Sequence, residues 1–146
     1  MQIKTSLGIN SPLYHESLAI REAVFVNEQH VPTTLEIDAD EDKARYFVGY
    51  ADNGRPVATA RVLPVAKNGW HIQRVAVIKS KRHLGLGQEL LEFIEKAARS
   101  HHITSLQLGA QAQARGFYEK LGYHVLSEDT FMDAGIPHYA MEKDLI

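Results

Sequence analysis

The segment Val75-Ala-Val-Ile-Lys-Ser-Lys-Arg-His-Leu-Gly-Leu-Gly-Gln-Glu-Leu-Leu91 constrains the fold more than any other part of the chain. It reads as a strand, a basic turn with two glycines, and a helix. Val75, Val77 and Ile78 are β-branched and suit a buried strand. Gly85 and Gly87 allow a tight turn, after which Leu86, Leu90, Leu91, Ile94 and Ala98 recur at helical spacing. The first N–H groups of a helix lack backbone partners and carry partial positive charge, so a glycine turn at that point can cradle a phosphate. Lys79, Lys81 and Arg82 place further positive charge at the same mouth.

Two nucleotide motifs fail on these residues. A P-loop requires Gly-Lys-Ser/Thr, but Gln88-Glu89 follows Gly87. A dinucleotide fingerprint requires a third glycine where Leu90 stands. What fits is Arg82-x-x-Gly85-x-Gly87. A second segment, Ala110-Gln-Ala-Gln-Ala-Arg-Gly-Phe-Tyr-Glu-Lys-Leu-Gly-Tyr123, reads as a helix capped by Gly122, with Lys120 in its last turn to complement the dipole. Together, in this order, the two segments resemble the signatures of the GNAT N-acetyltransferases, which move an acetyl group from acetyl-coenzyme A to an amine. The resemblance extends over nearly the whole chain.

That resemblance implies an α/β fold of the GNAT acyl-CoA N-acyltransferase type, with a central sheet part antiparallel and part parallel, flanked by helices. The fourth and fifth strands, here Ile72–Ile78 and Ser105–Leu108, would be parallel and would splay to admit the pantetheine arm. The coenzyme would then lie against Val75, Ala76 and Val77, in the turn Arg82, His83, Leu84, Gly85, Leu86 and Gly87, and beside Gln111, Phe117 and Tyr118. Tyr118 stands where the family has a tyrosine aimed at the coenzyme sulfur. A phenol of pKa ~10 can protonate a thiolate whose free pKa is ~8.5. The backbone N–H of Val75 or Ala76 would hold the carbonyl oxygen of the attacked thioester.

Two residues compete as the general base. His138, in Gly135-Ile-Pro-His138, resembles a catalytic histidine in several members, glyphosate N-acetyltransferase among them; an imidazole of pKa ~6.5 suits the task at neutral pH. Glu28 comes from Val24-Phe-Val-Asn-Glu-Gln-His-Val-Pro32, a phrase that resembles the acceptor-side segment of small bacterial members, and could equally contact the acceptor. Arg61 and Arg74 are candidates for an anionic group on the substrate. Two positions depart from the pattern: Gln111 replaces the usual asparagine, and His83 stands where many members have glycine.

Composition narrows the class. The chain has 146 residues, 45% hydrophobic and 23% charged, with net charge −2 and no cysteine. It is long enough for one domain spanning 1–146, and its balance gives no reason to expect nucleic acid or an anionic membrane. Without thiols there is no disulfide, thiolate metal site or acyl-cysteine. With no apolar leader or spanning segment, a cytoplasmic location is the expectation. Asp38-x-Asp40-x-Asp42 lacks the glycine and glutamate of a calcium loop and reads as a solvated acidic turn. No metal is expected.

The remaining elements read as a strand Ile3–Leu7, a helix from Ser11-Pro12 to about Val26, and a polar loop to Asp42 with a short helical piece. Three strands follow, Arg45–Ala51, Arg55–Val65 and Trp70–Ile78, turned by Asn53-Gly54 and Asn68-Gly69. After the helix Leu86–Ser100 come strands Ser105–Leu108, Tyr123–Leu126 and His138–Lys143, with a polar loop before the last. The expected protein is an acetyl-CoA-dependent N-acetyltransferase, monomeric or homodimeric, acting on a small-molecule or peptide amine. A non-catalytic acyl-CoA sensor is the alternative.

Overall fold

A computed structural model describes residues 1–146. One mixed sheet of eight strands organises it: β1 (Gln2–Leu7), β2 (Arg45–Tyr50), β3 (Pro56–Val65), β4 (Gly69–Val77), β5 (Ser105–Gln111), β6 (His124–Val125), β7 (Phe131–Asp133) and β8 (Ile136–Asp144). The order is β1-β2-β3-β4-β5-β8-β6, with β7 also on β8. Only β4 and β5 pair in parallel. The Asn-Gly turns make β2 through β4 the expected antiparallel meander.

Helices cover both faces. α3 (Leu86–Ser100) buries Leu90, Leu91, Ile94 and Ala98 against Phe47, Val62, Ile72, Leu106 and Met141. α4 (Arg115–Lys120) adds Tyr118 to the same core. On the other face, α1 (Pro12–Arg21) packs Leu13, Tyr14 and Ile20 on Tyr46, Val48 and Val57. Its start is as read: Ser11 caps the N–H of Tyr14 and Pro12 takes the first turn.

The expected regular helix to Val26 ends at Arg21. Glu22–Glu28 continue as a π-helical segment, with Gln29 N–H donating to Val24 C=O five residues back. The short helical piece is α2 (Thr33–Glu36). The polar loop before β8 contains β7, whose Phe131 pairs with His138. The second motif starts later as helix than expected, because β5 runs to Gln111 and a 3-10 turn, Ala112–Ala114, precedes α4.

Two irregularities in β4 place the site. Pairing with β5 runs from Gly69↔Ser105 to Ile72↔Leu108 and stops, while β5 continues on β8. The strands therefore splay beyond Ile72, four residues of pairing having closed the lower half. Against β3, Thr59 pairs with Ala76 and Arg61 with Gln73, so Ala60 faces the two residues Arg74 and Val75. This is a β-bulge, and Arg74 takes φ 58° within it.

Candidate active site

The glycine turn is an anion cradle made of backbone. The N–H groups from His83 through Gln88 donate to no protein acceptor, and the first helical bond of α3 is Glu89 N–H to Gly85 C=O. Gly85 reaches this geometry with φ 79°, a region that side chains resist. A Cβ on Gly87 would sit 3.3 Å from the Phe117 ring, so the approach between α3 and α4 there is close. Free N–H groups, the positive end of a 15-residue helix, exposed Lys79 and half-buried Lys81 form one electropositive mouth. These residues fit a pyrophosphate.

Beside the cradle, with Arg82 on its wall, a cavity of about 450 Å³ occupies the splay and is lined by side chains from both faces of the sheet. Val75, Ala76, Val77, Arg82 and Tyr118 line its coenzyme side; Arg74, Gln111 and His138 line it further in. The Tyr118 ring is buried, its hydroxyl bonds to no protein group, and burial pushes its pKa up, keeping the phenol protonated. His138 is buried and stacks on Phe131, and its Nδ1 lies 2.7 Å from the Ile136 carbonyl. A carbonyl can only accept, so Nδ1 carries a proton, and in the neutral ring Nε2 is the nitrogen with the lone pair. Gly109 makes room for both rings: a Cβ there would lie 3.0 Å from Phe131 and 3.9 Å from His138.

Arg82 is not a free phosphate ligand. Its Nε donates to the Val77 carbonyl at 2.9 Å, and both terminal nitrogens grip the Glu28 carboxylate. Val77 lines the cavity with its carbonyl engaged by Arg82, whereas Glu28, expected as a base or acceptor contact, lies outside the lining with both oxygens occupied. Arg82 also lowers the Glu28 pKa, which weakens it as a base. The Glu28–Arg82 pair instead ties the π-helical segment to the exit of β4.

Arg61 is also corrected. It is fully buried and does not line the cavity. Its guanidinium bonds Asp38 at 2.7 and 3.1 Å, Glu41 at 2.7 Å and Gln73 at 2.8 and 3.0 Å. Arg21, equally buried, bonds Glu36 at 2.7 Å and Glu41 at 2.8 and 3.1 Å. Arg74 reaches Glu36 at 3.0 Å and Asp38 at 3.3 Å. Three arginines thus face three carboxylates, and the acidic turn read as solvated supplies two of them, Asp38 and Glu41. Burial pushes the Asp38 carboxyl up, but bonds from Arg61 and the Asp40 N–H hold it well below the usual carboxylate range. The network fastens the segment around α2 to the bulge and closes one wall of the cavity.

Sequence reasoning missed part of the lining: Phe25 and Val31 from the segment after α1, Leu35 and Glu36 of α2, His71 and Gln73 of β4, and Phe131 and Asp133 of β7. One signal was available for β4. Alternation from Trp70 and Ile72 sends His71 and Gln73 to the face away from α3. The Gln111 amide meets Gln29 at 2.9 Å and Gln113 at 2.6 Å, joining the strand end to the π-helical segment.

Residues 10–145 match the family model described as an acetyltransferase (GNAT) domain. The chain belongs to the GNAT family. Among relatives, it is 41% identical over 143 residues to YjcF of Bacillus subtilis, described as an uncharacterized N-acetyltransferase, covering 97% of this chain and all of that protein. ElaA of Escherichia coli is 33% identical over 88% of this chain and 86% of its own length. Among solved structures, ElaA superposes with TM-score 0.85 at 28% identity, covering 98% of this chain and 99% of that one. An acyl-CoA N-acyltransferase from Pseudomonas aeruginosa gives 0.83 at 28%, covering 97% and 98%. The fold is thus the expected GNAT acyltransferase fold, and the GNAT protein is an acetyl-CoA-dependent acyltransferase. No helix is long and apolar enough to cross a membrane, and no three His, Cys, Asp or Glu side chains cluster to hold a metal.

Proposed function

We propose that this enzyme acetylates a primary amine by direct transfer, with donor and acceptor bound together. The observation that carries the reading is one cavity lined by both Tyr118 and His138, with Arg82, the residue before the backbone cradle at His83–Gln88, also on its wall. Acetyl-coenzyme A supplies an acyl group on a good leaving sulfur. The cradle N–H groups hold its pyrophosphate, and the unpaired edge of β4 beyond Ile72 holds its amide arm. The N–H of Val75 or Ala76 stabilises the oxygen of the attacked carbonyl. His138 Nε2 accepts a proton from the acceptor ammonium, and the Tyr118 hydroxyl donates one to the departing sulfur.

The acceptor side suits an amine carried on an apolar body. Phe25, Val31, Leu35 and Phe131 line it, and Glu36 and Arg74 there are already paired with each other. Arg74 keeps Nη1 without a protein partner, and it remains the candidate contact for a carbonyl or carboxylate on the acceptor. Glu28 and Arg61 have no direct part. The test is a panel of amines with acetyl-coenzyme A, following release of free thiol. Wild type should prefer 2-phenylethylamine to spermidine. Tyr118→Phe should bind coenzyme normally and lose ~10²–10⁴ of turnover, and His138→Ala a comparable amount. Full turnover in Tyr118→Phe, with chemistry rate-limiting, removes the phenol from the mechanism.

A further inference from the structure

Transfer to an ammonium removes two protons from one nitrogen. The first must leave before nitrogen can attack, and the second leaves once the new C–N bond has made nitrogen cationic again. Tyr118 returns one proton to sulfur, so one proton is released overall. His138 answers one of the two demands at nitrogen. The cavity wall contains another side chain able to answer the other.

His71 lies on β4 beside the point where the strands part. Trp70 and Ile72 turn into the core under α3, so His71 faces the acceptor side, where it lines the cavity. It is half-buried, and neither ring nitrogen bonds a protein group. Its strand neighbours, Leu63 on β3 and Gln107 on β5, are uncharged. The charge of Arg61 on β3 acts on it, Glu142 of β8 stands in register with it across β5, and the other charged or titratable side chains of the cavity wall are Glu36, Arg74, Arg82, Tyr118, Asp133 and His138. Burial, and after it the charge of Arg61, lower the His71 pKa. The imidazole is therefore neutral at neutral pH, with a lone pair available.

The two histidines flank β5 from opposite sides. His71 pairs across from Gln107 and His138 across from Gln111. Four residues along β5, ~13 Å, and a strand spacing on either side of it, ~10 Å together, set the two backbone positions ~16 Å apart, too far for both rings to touch one nitrogen. A water can bridge the remaining gap within the cavity. We propose that His71 is the second proton acceptor of the transfer, taking through water the proton that nitrogen sheds after the C–N bond forms. The inference rests on the amine-transfer reading above. The C–N bond forms and the C–S bond breaks; His138 and His71 each gain a proton, and Tyr118 loses one to sulfur. Return of all three to their resting states releases one proton to solvent.

The test compares His71→Ala and His71→Gln with wild type, using the best acceptor from spermidine, 2-phenylethylamine, lysine and a tripeptide. Turnover should fall about a hundredfold in both variants. The KM for acetyl-coenzyme A and the coenzyme-induced rise in Tm should be unchanged. Added imidazole should restore turnover of His71→Ala about tenfold, which a packing defect would not allow. Turnover of His71→Gln within about threefold of wild type overturns the proposal, because one base then serves both protons. Lost turnover that imidazole leaves unrestored overturns it too, since His71 is then a packing residue. If wild type gains Tm with coenzyme yet acetylates none of the four amines, the amine-transfer reading falls and this inference falls with it.

Discussion

The two ends of the cavity are built from different materials. The coenzyme end is backbone: six free N–H groups, two glycines and an unpaired strand edge. The acceptor end is side chains, with Glu36 and Arg74 on its lining and Arg21, Arg61, Asp38 and Glu41 bonded behind them, contributed by α1, β3, β4 and the segment around α2. A backbone site needs few particular residues, provided the turn can form. A side-chain site depends on every partner, because a buried charge left alone is costly. The coenzyme end should thus tolerate most surface changes, and the acceptor end should respond to any break in its charge balance.

The largest effect expected from breaking that contrast is in stability. Arg61→Ala leaves three carboxylates facing two arginines, Asp38 and Glu41 each losing a partner, and should cost about 3–5 kcal/mol in denaturant unfolding. A loss under about 1 kcal/mol would mean the network is solvated rather than closed. Next comes acid. Asp38 and Glu41 are both held below their ordinary pKa, since their arginine bonds outweigh burial. Their contribution is present above about pH 4 and lost as pH falls through the depressed folded values. Wild-type Tm should therefore drop below about pH 4, and Arg61→Met should flatten that dependence.

Smaller effects belong to the backbone end. Gly85→Ala places a side chain at φ 79°, with no neighbour within 4 Å of its Cβ. The strain should cost about 1–2 kcal/mol and weaken coenzyme binding, read by titration, while acceptor KM stays put. The smallest change should come from Glu28→Gln. Its pair with Arg82 is partly exposed, worth about 0.2–1 kcal/mol, and turnover should stay within a few-fold of wild type. A hundredfold loss would return Glu28 to the chemistry and erase the distinction between the two ends.

The same contrast explains what could be read from the chain. The cradle was legible because Arg82 to Gly87 and the opening of α3 are contiguous, and helix periodicity begins at Leu86, where the structure begins it. Tyr118 and His138 were named through short local motifs, and both line the cavity. The network was not legible. Arg21, Arg61 and Arg74 are spaced by 40 and 13 residues, and nothing in a linear reading tells a buried arginine from a solvated one. For the same reason Arg61 was read as a substrate contact and Asp38 as solvent-facing. β7 escaped because three exposed residues carry no periodic signal. The π-helical turn escaped because its composition is that of an ordinary helix end.

The bulge at Arg74 changes the phase of a strand. Below it, Trp70 and Ile72 face α3; above it, Val75 and Val77 do, while Ala76 and Ile78 pack toward α1. Even-numbered side chains exchange faces with odd-numbered ones across a single inserted position, so β4 follows two reading frames along one strand. The lower frame can display His71 and Gln73 to an acceptor, and the upper frame keeps valines beneath the coenzyme arm. Deleting Arg74 would merge the frames: simple alternation from Gln73 would still carry Val75 and Val77 to the α3 side, and the bend of the bulge would be lost. A one-residue deletion at 74 should therefore straighten β4 where it leaves β5 while its valines stay packed under α3.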